Sequence, residues 1–230
     1  MGGSAPASES RRLLIAATAV TLVAAAGMLA SRGIGIPSIY AKMTAASGFL
    51  VAAWAAGAFH SRYGRAVFAG LVFSWFGDLF LALPGKFLSG LVAFLIGHIG
   101  YSVAFVLHGI RPAAALGALA ALVLPAAGLF LWLNPHLSDE MRYPVYAYMA
   151  VITTMLALSV GAWQRQGTVL MALAALMFWL SDIFVARQAF VAPGAINGII
   201  GLPLYFGGQL VFAWSIAALG RRQLTSPAQH

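Results

Sequence analysis

The residues of this chain best suited to chemistry are two aspartates. Asp78 lies in "WFGDLF" (Trp75–Phe80) and Asp182 in "WLSDIF" (Trp179–Phe184), each inside an apolar run long enough to cross a membrane. A carboxylate in hydrocarbon is costly, so intramembrane acids usually face the bundle interior or a cavity. Two that converge resist double ionisation; one keeps its proton, and the pair offers an acid and a base together. Several polar residues have the spacing to serve such a pair. Ser74 is one helical turn before Asp78, and Ser181 adjoins Asp182, so either hydroxyl can reach a carboxylate or bond back to its own helix. His98, mid-span in "FLIGHIGY", suits proton relay or ligand orientation. The hydroxyls of Tyr101 and Tyr205 need partners if buried. Gln209 is one turn after Tyr205 and shares its face. Lys42 opens the second apolar run at the end where both acids lie, placed either to snorkel or to meet a phosphate. The chain has no HExxH or multiple-histidine spacing, GxSxG elbow, Walker sequence or dinucleotide fingerprint. Neither a metal nor an organic cofactor is expected.

The elements that must position these residues follow from composition. The 230 residues are 62% hydrophobic and 8% charged. Soluble domains carry about 25% charged residues, so this surface cannot be covered with polar groups. An all-α polytopic membrane protein is expected. Turn and charge signals divide the chain into eight spans, near Leu13–Ala30, Ile39–Phe59, Ala66–Leu83, Phe87–His108, Ala113–Leu133, Tyr143–Trp163, Thr168–Phe190 and Asn197–Leu219. One transmembrane domain, 13–219, would lie between polar tails at 1–12 and 220–230, both expected to be disordered. Leu13–Ala30 is long enough to be a retained first helix rather than a cleaved signal. The net charge of +8 does not mark a nucleic-acid binder, because the basic residues are scattered singly or in pairs and form no patch interleaved with aromatics. With no cysteine, disulfides, thiolate metal sites and a cysteine nucleophile are excluded. Arg11, Arg12, Arg62, Arg65, Arg111, Arg165, Arg221 and Arg222 fall on the side of the termini. Arg32, Lys42, Lys86, Arg142 and Arg187 fall opposite, with Asp139 and Glu140. Both termini are therefore expected in the cytoplasm of a cell-membrane protein.

Asp78 and Asp182 are 182 − 78 = 104 positions apart. The same offset aligns Trp75 with Trp179, Phe80 with Phe184, Gly97 with Gly201 and Tyr101 with Tyr205 without a gap. This predicts a parallel 4+4 internal repeat, with halves near 13–110 and 113–219 and the acids at matched depth.

The motifs "YAK" (Tyr40–Lys42), "FSWFGD" (Phe73–Asp78), "FLIGHIGY" (Phe94–Tyr101), "FWLSD" (Phe178–Asp182) and "YFGGQ" (Tyr205–Gln209) together resemble the YhhN family of integral membrane proteins, which includes the lysoplasmalogenases. Met43 stands where the family pattern has a proline, so only Lys42 carries over there. The resemblance implies eight spans and hydrolysis of the vinyl ether of a lysophospholipid-like substrate, lysoplasmalogen. Its products would be a fatty aldehyde and a glycerophospho-headgroup, with the family's paired acids at Asp78 and Asp182. Two other readings use the same acids. A proton-coupled transporter or lipid-binding protein would employ them for coupling. An intramembrane aspartyl protease would need GxGD, and Trp75 stands at its first glycine.

Overall fold

The computed structural model describes residues 7–31 and 38–225, which form eight long helices and no strand. In chain order these are α1 (Ala7–Ser31), α2 (Ser38–Ala55), α3 (Arg62–Ala82), α4 (Phe87–His108), α5 (Pro112–Leu133), α6 (Asp139–Arg165), α7 (Val169–Ala186) and α8 (Ala195–Thr225). Short 3-10 turns occupy Ala58–His60 and Asn134–His136, and a π turn, Arg187–Val191, extends α7. Local chemistry explains the boundaries. Ser61 caps α3 by accepting the Gly64 N–H, and Thr168 caps α7 by accepting that of Leu170. Pro112 sits in the first turn of α5, where its missing N–H costs nothing. Asp139 and Glu140 complement the positive end of the α6 dipole. Gly57, at φ 87°, adopts the left-handed conformation that follows α2 and ends it short of the expected Phe59.

The tails differ from expectation where the structure describes them. α1 already includes residues 7–12, and α8 continues through 220–225. A helix satisfies its own backbone, so it continues past the hydrocarbon boundary without a polarity change stopping it. The expected tail residues 1–6 and 226–230, and Arg32 in the α1–α2 connection, lie outside the described residues.

Seven of the helical segments are long and apolar enough to cross a membrane. α2 is the eighth helix, with 18 residues, about 27 Å at the helical rise. Lys42 lowers its hydropathy, and its inner face is made of fully buried Ala45, Ala46, Phe49, Ala52 and Ala53. These small side chains admit α1, α3 and α8 as close neighbours. α6 lies against α4, α5 and α7, and the hairpins α3–α4 and α7–α8 are tightly apposed. α5 buries only Ala115 and Leu133 and presents residues such as Leu124 and Leu131 outward, as a lipid-facing helix does.

The α3–α4 approach sets the depth of the site. A Cβ on Gly70 would stand 2.5 Å from the Tyr101 ring, and one on Gly97 would stand 3.0 Å from the Gly70 carbonyl. Gly70→Val therefore lowers the thermal unfolding midpoint in detergent by about 5 °C or more, because overpacking here moves backbone as well as side chains. An unchanged midpoint would contradict the close packing.

Candidate active site: two aspartates lining one cavity

All eight helices contribute to a cavity of about 580 Å³, whose walls include Lys42, Asp78, Tyr148, Asp182 and Tyr205. Most of its surface is apolar, from residues such as Leu81, Phe94, Leu129 and Trp179. The cavity reaches the helix ends on the side of the α3–α4 and α7–α8 connections, because Phe87, Phe190 and Asn197 also line it.

The two carboxylates have different surroundings. Asp78 is 2% exposed and accepts the Tyr205 hydroxyl at 2.6 Å on Oδ2. The Lys42 ammonium stands 3.2 Å from Oδ1. Behind Tyr205 runs a string of buried bonds. The Gln209 amide donates to the Tyr205 hydroxyl at 3.2 Å, and Tyr101 donates to Gln209 Oε1 at 2.7 Å. Tyr101 has one hydroxyl proton, so it accepts from Ser74 at 3.1 Å.

Asp182 is 16% exposed and accepts the Tyr148 hydroxyl at 2.5 Å on Oδ2. Having given its proton to Asp182, Tyr148 accepts from Nε2 of His98 at 2.8 Å. The same Nε2 is 3.6 Å from Asp182 Oδ2. His98 is fully buried, and its Nδ1 has no hydrogen-bond partner. The Ser181 hydroxyl donates to the Phe178 carbonyl at 2.7 Å, leaving it only a long 3.4 Å approach to Asp182 Oδ1. Phe178 stands edge-on between the two strings, with ring centroids 4.5 Å from His98 and 5.2 Å from Tyr205.

The expected supporting residues thus divide. Lys42 and Tyr205 contact Asp78 directly, and Gln209 acts through Tyr205 on the shared helix face. Ser74, placed by its spacing to reach Asp78 or its own helix, turns instead to Tyr101 across the α3–α4 contact. Tyr101 bonds neither acid; it is held between Ser74 and Gln209. A strict twofold arrangement would give Asp182 the Tyr101 hydroxyl, as Asp78 has that of Tyr205. Tyr148 of α6 takes that place instead. Tyr148 carries no distinguishing mark in the sequence, because "YPVYAYMA", at the start of the sixth span, has the pattern of an interfacial aromatic belt. The Lys42 contact also makes the two acids unlike, since among the described residues Asp78 but not Asp182 has an ammonium at hydrogen-bonding distance. Among the described residues, no three histidine, aspartate or glutamate side chains converge as a metal site requires.

Comparison with known proteins bears on this arrangement. The YhhN family model matches residues 38–216. The lysoplasmalogenase TMEM86B of Sus scrofa is 31% identical over 169 residues, covering 74% of this chain and 69% of its own. The lysoplasmalogenase TMEM86A of Bos taurus is 32% identical over 159 residues, covering 65% and 64%. A lysoplasmalogenase of Mycobacterium tuberculosis is 30% identical over 155 residues, covering 64% of this chain but 54% of its own. No solved structure matches the chain.

Proposed function

The chain belongs to the YhhN family, and from that membership we propose that it is a membrane hydrolase that opens the vinyl ether bond of lysoplasmalogen or a closely related lysophospholipid. The products are a fatty aldehyde and the glycerophospho-headgroup. The observation that carries the reading is the presence of two differently partnered aspartates on one largely apolar cavity. Such a cavity suits an alkenyl chain, and its acids suit the one polar bond at the head of that chain.

The partners of the two acids support different roles. The Lys42 ammonium, 3.2 Å from Asp78, suits this acid to the carboxylate role. Asp182 has the neutral hydroxyl of Tyr148 on Oδ2 and, among the described residues, no ammonium beside it, which suits it to the acid role. In that role Asp182 transfers a proton to the β-carbon of the vinyl ether, and an oxocarbenium ion forms. The Asp78 carboxylate stabilises the cation and takes a proton from the water that adds to it, giving a hemiacetal. Asp182 then removes the hemiacetal hydroxyl proton as the carbon–oxygen bond to glycerol breaks, and Asp78 returns its proton to the departing oxygen. Both acids end as they began, and one water is consumed.

Tyr148 positions Asp182. Tyr148→Phe lowers kcat about tenfold and leaves KM within about twofold, because the bond it loses holds the acid rather than the lipid. Unchanged turnover with an unchanged pH profile would remove the role assigned to Tyr148. The overall proposal is tested by incubating purified protein in detergent with lysoplasmalogen and measuring released aldehyde. Proton-dependent uptake of an unaltered lipid into liposomes, without aldehyde, would favour the transport reading instead. The distribution of Lys and Arg supports an orientation with both termini in the cytoplasm, in which the cavity opens toward the opposite face.

A further inference from the structure

The outer end of the cavity carries a polar cluster that the bond-breaking steps do not use. It is built where α7 passes into the π turn Arg187–Val191, a geometry common at functional sites. Gln188 and Asn197 line the cavity, and Asn197 is 4% exposed. Arg187 Nη1 donates to Asn197 Oδ1 at 2.7 Å and makes a long contact of 3.5 Å with the Ala192 carbonyl. The Asn197 amide donates to Gln188 Oε1 at 2.8 Å and to the Ala192 carbonyl at 2.9 Å. The Gly194 N–H donates to the same Gln188 oxygen at 3.0 Å.

Every acceptor in this cluster is neutral. Among the described residues the aspartate carboxylates lie near other groups, Asp78 by Lys42, Asp182 by His98 and Asp139 by Arg142, so none serves Arg187. Gln188 uses its amide oxygen within the cluster, which turns its NH2 group to other acceptors. Arg187 does not itself line the cavity but is bonded to Asn197, which does; a cation fixed there by neutral groups, with further N–H donors next to it, has the chemistry of an anion subsite.

We propose that Arg187 and Gln188, with Asn197 holding the guanidinium in place, receive the phosphodiester of the lysophospholipid headgroup. This deepens the hydrolase reading and rests on it. The spacing fits. Arg187 is five residues beyond Asp182, about 7.5 Å along the helix axis. Five covalent bonds separate the vinyl ether oxygen from phosphorus in a glycerophospholipid, a reach of roughly 6 Å at ordinary bond lengths. A vinyl ether at the aspartates thus puts the phosphate at the level of the cluster. Lys42, placed by sequence either to snorkel or to meet a phosphate, is engaged with Asp78, which leaves the phosphate to Arg187.

The test compares kcat/KM for lysoplasmalogen with that for a 1-alkenylglycerol lacking the phosphate, in wild type, Arg187→Ala and Arg187→Lys. The ratio of the two is independent of how much of each variant is folded. It should fall about tenfold or more in Arg187→Ala, through KM for the phospholipid, and by less in Arg187→Lys, which keeps the charge without the planar fork. An unchanged ratio in Arg187→Ala, with wild type active, overturns the subsite alone. A wild type that releases aldehyde from neither lipid overturns the hydrolase reading. Thermal stabilisation of wild type by inorganic phosphate, lost in Arg187→Ala, supports an anion site. The same stabilisation with an unchanged lipid ratio assigns the site to free phosphate and overturns the headgroup assignment.

Discussion

Asp182→Asn abolishes aldehyde release, lowering kcat about a thousandfold while the protein keeps its fold and its affinity for lipid. The amide is nearly isosteric and can still accept the Tyr148 hydroxyl on its oxygen, so the bond seen at 2.5 Å has a substitute. It cannot deliver a proton to carbon. General acid catalysis commonly contributes a hundred- to ten-thousandfold, and a thousandfold is about 4 kcal/mol of barrier. Stopped turnover with retained binding of lysoplasmalogen, measured by the lipid's protection against unfolding, is the expected signature. Turnover within tenfold of wild type would remove Asp182 from the acid role.

The second large effect separates stability from chemistry at Asp78. Lys42→Met leaves a carboxylate, 2% exposed, without its cation. Removing one partner of a buried pair costs about 3–5 kcal/mol, because the remaining charge stays in a low-dielectric site. Asp78→Asn strands the ammonium in the same way, though Lys42 is 15% exposed and its flexible stem can turn toward water. The double variant Lys42→Met/Asp78→Asn removes both charges and recovers most of the lost stability, with a coupling energy of about 3 kcal/mol in the mutant cycle. It does not recover aldehyde release, since the oxocarbenium ion has lost its stabilising carboxylate. Unfolding midpoints and turnover measured on the four proteins check both halves. Recovered activity in the double variant would make the Lys42–Asp78 pair structural only.

Helix periodicity accounts for what could be read from sequence. The eight apolar runs became the eight helices because each is long and bounded by turn or charge signals such as "LPGK" and "VAPG". Gln209 and Tyr205 share a face because they are four residues apart, a relation internal to one helix. Partners across helices were less legible. Spacing places Tyr101 on the buried side of α4, but not which neighbour it meets; that depends on where α8 and α3 lie. Tyr148 illustrates the same limit, since only the position of α6 beside α4 and α7 brings it to His98 and Asp182. The 104-residue offset led to the expectation of matched heights for the aspartates; what the structure shows is that both line one cavity. It carried no information about Lys42 pairing with one acid and leaving the other to neutral partners. The π turn at Arg187 also escaped, because an extra residue per turn leaves the apolar pattern of α7 almost unchanged.

The central claim is that a side-chain acid protonates the vinyl ether carbon, and isotope transfer tests it most directly. Purified protein is incubated with lysoplasmalogen in D2O, and the aldehyde is reduced as it forms so that it cannot exchange by enolisation. Protonation by Asp182, whose acidic proton exchanges with solvent, places one deuterium on the carbon next to the former aldehyde carbon. Product with that single deuterium, formed by wild type and not by Asp182→Asn, is the predicted result. Aldehyde without deuterium at that carbon, or equal labelled product from Asp182→Asn, would contradict the account.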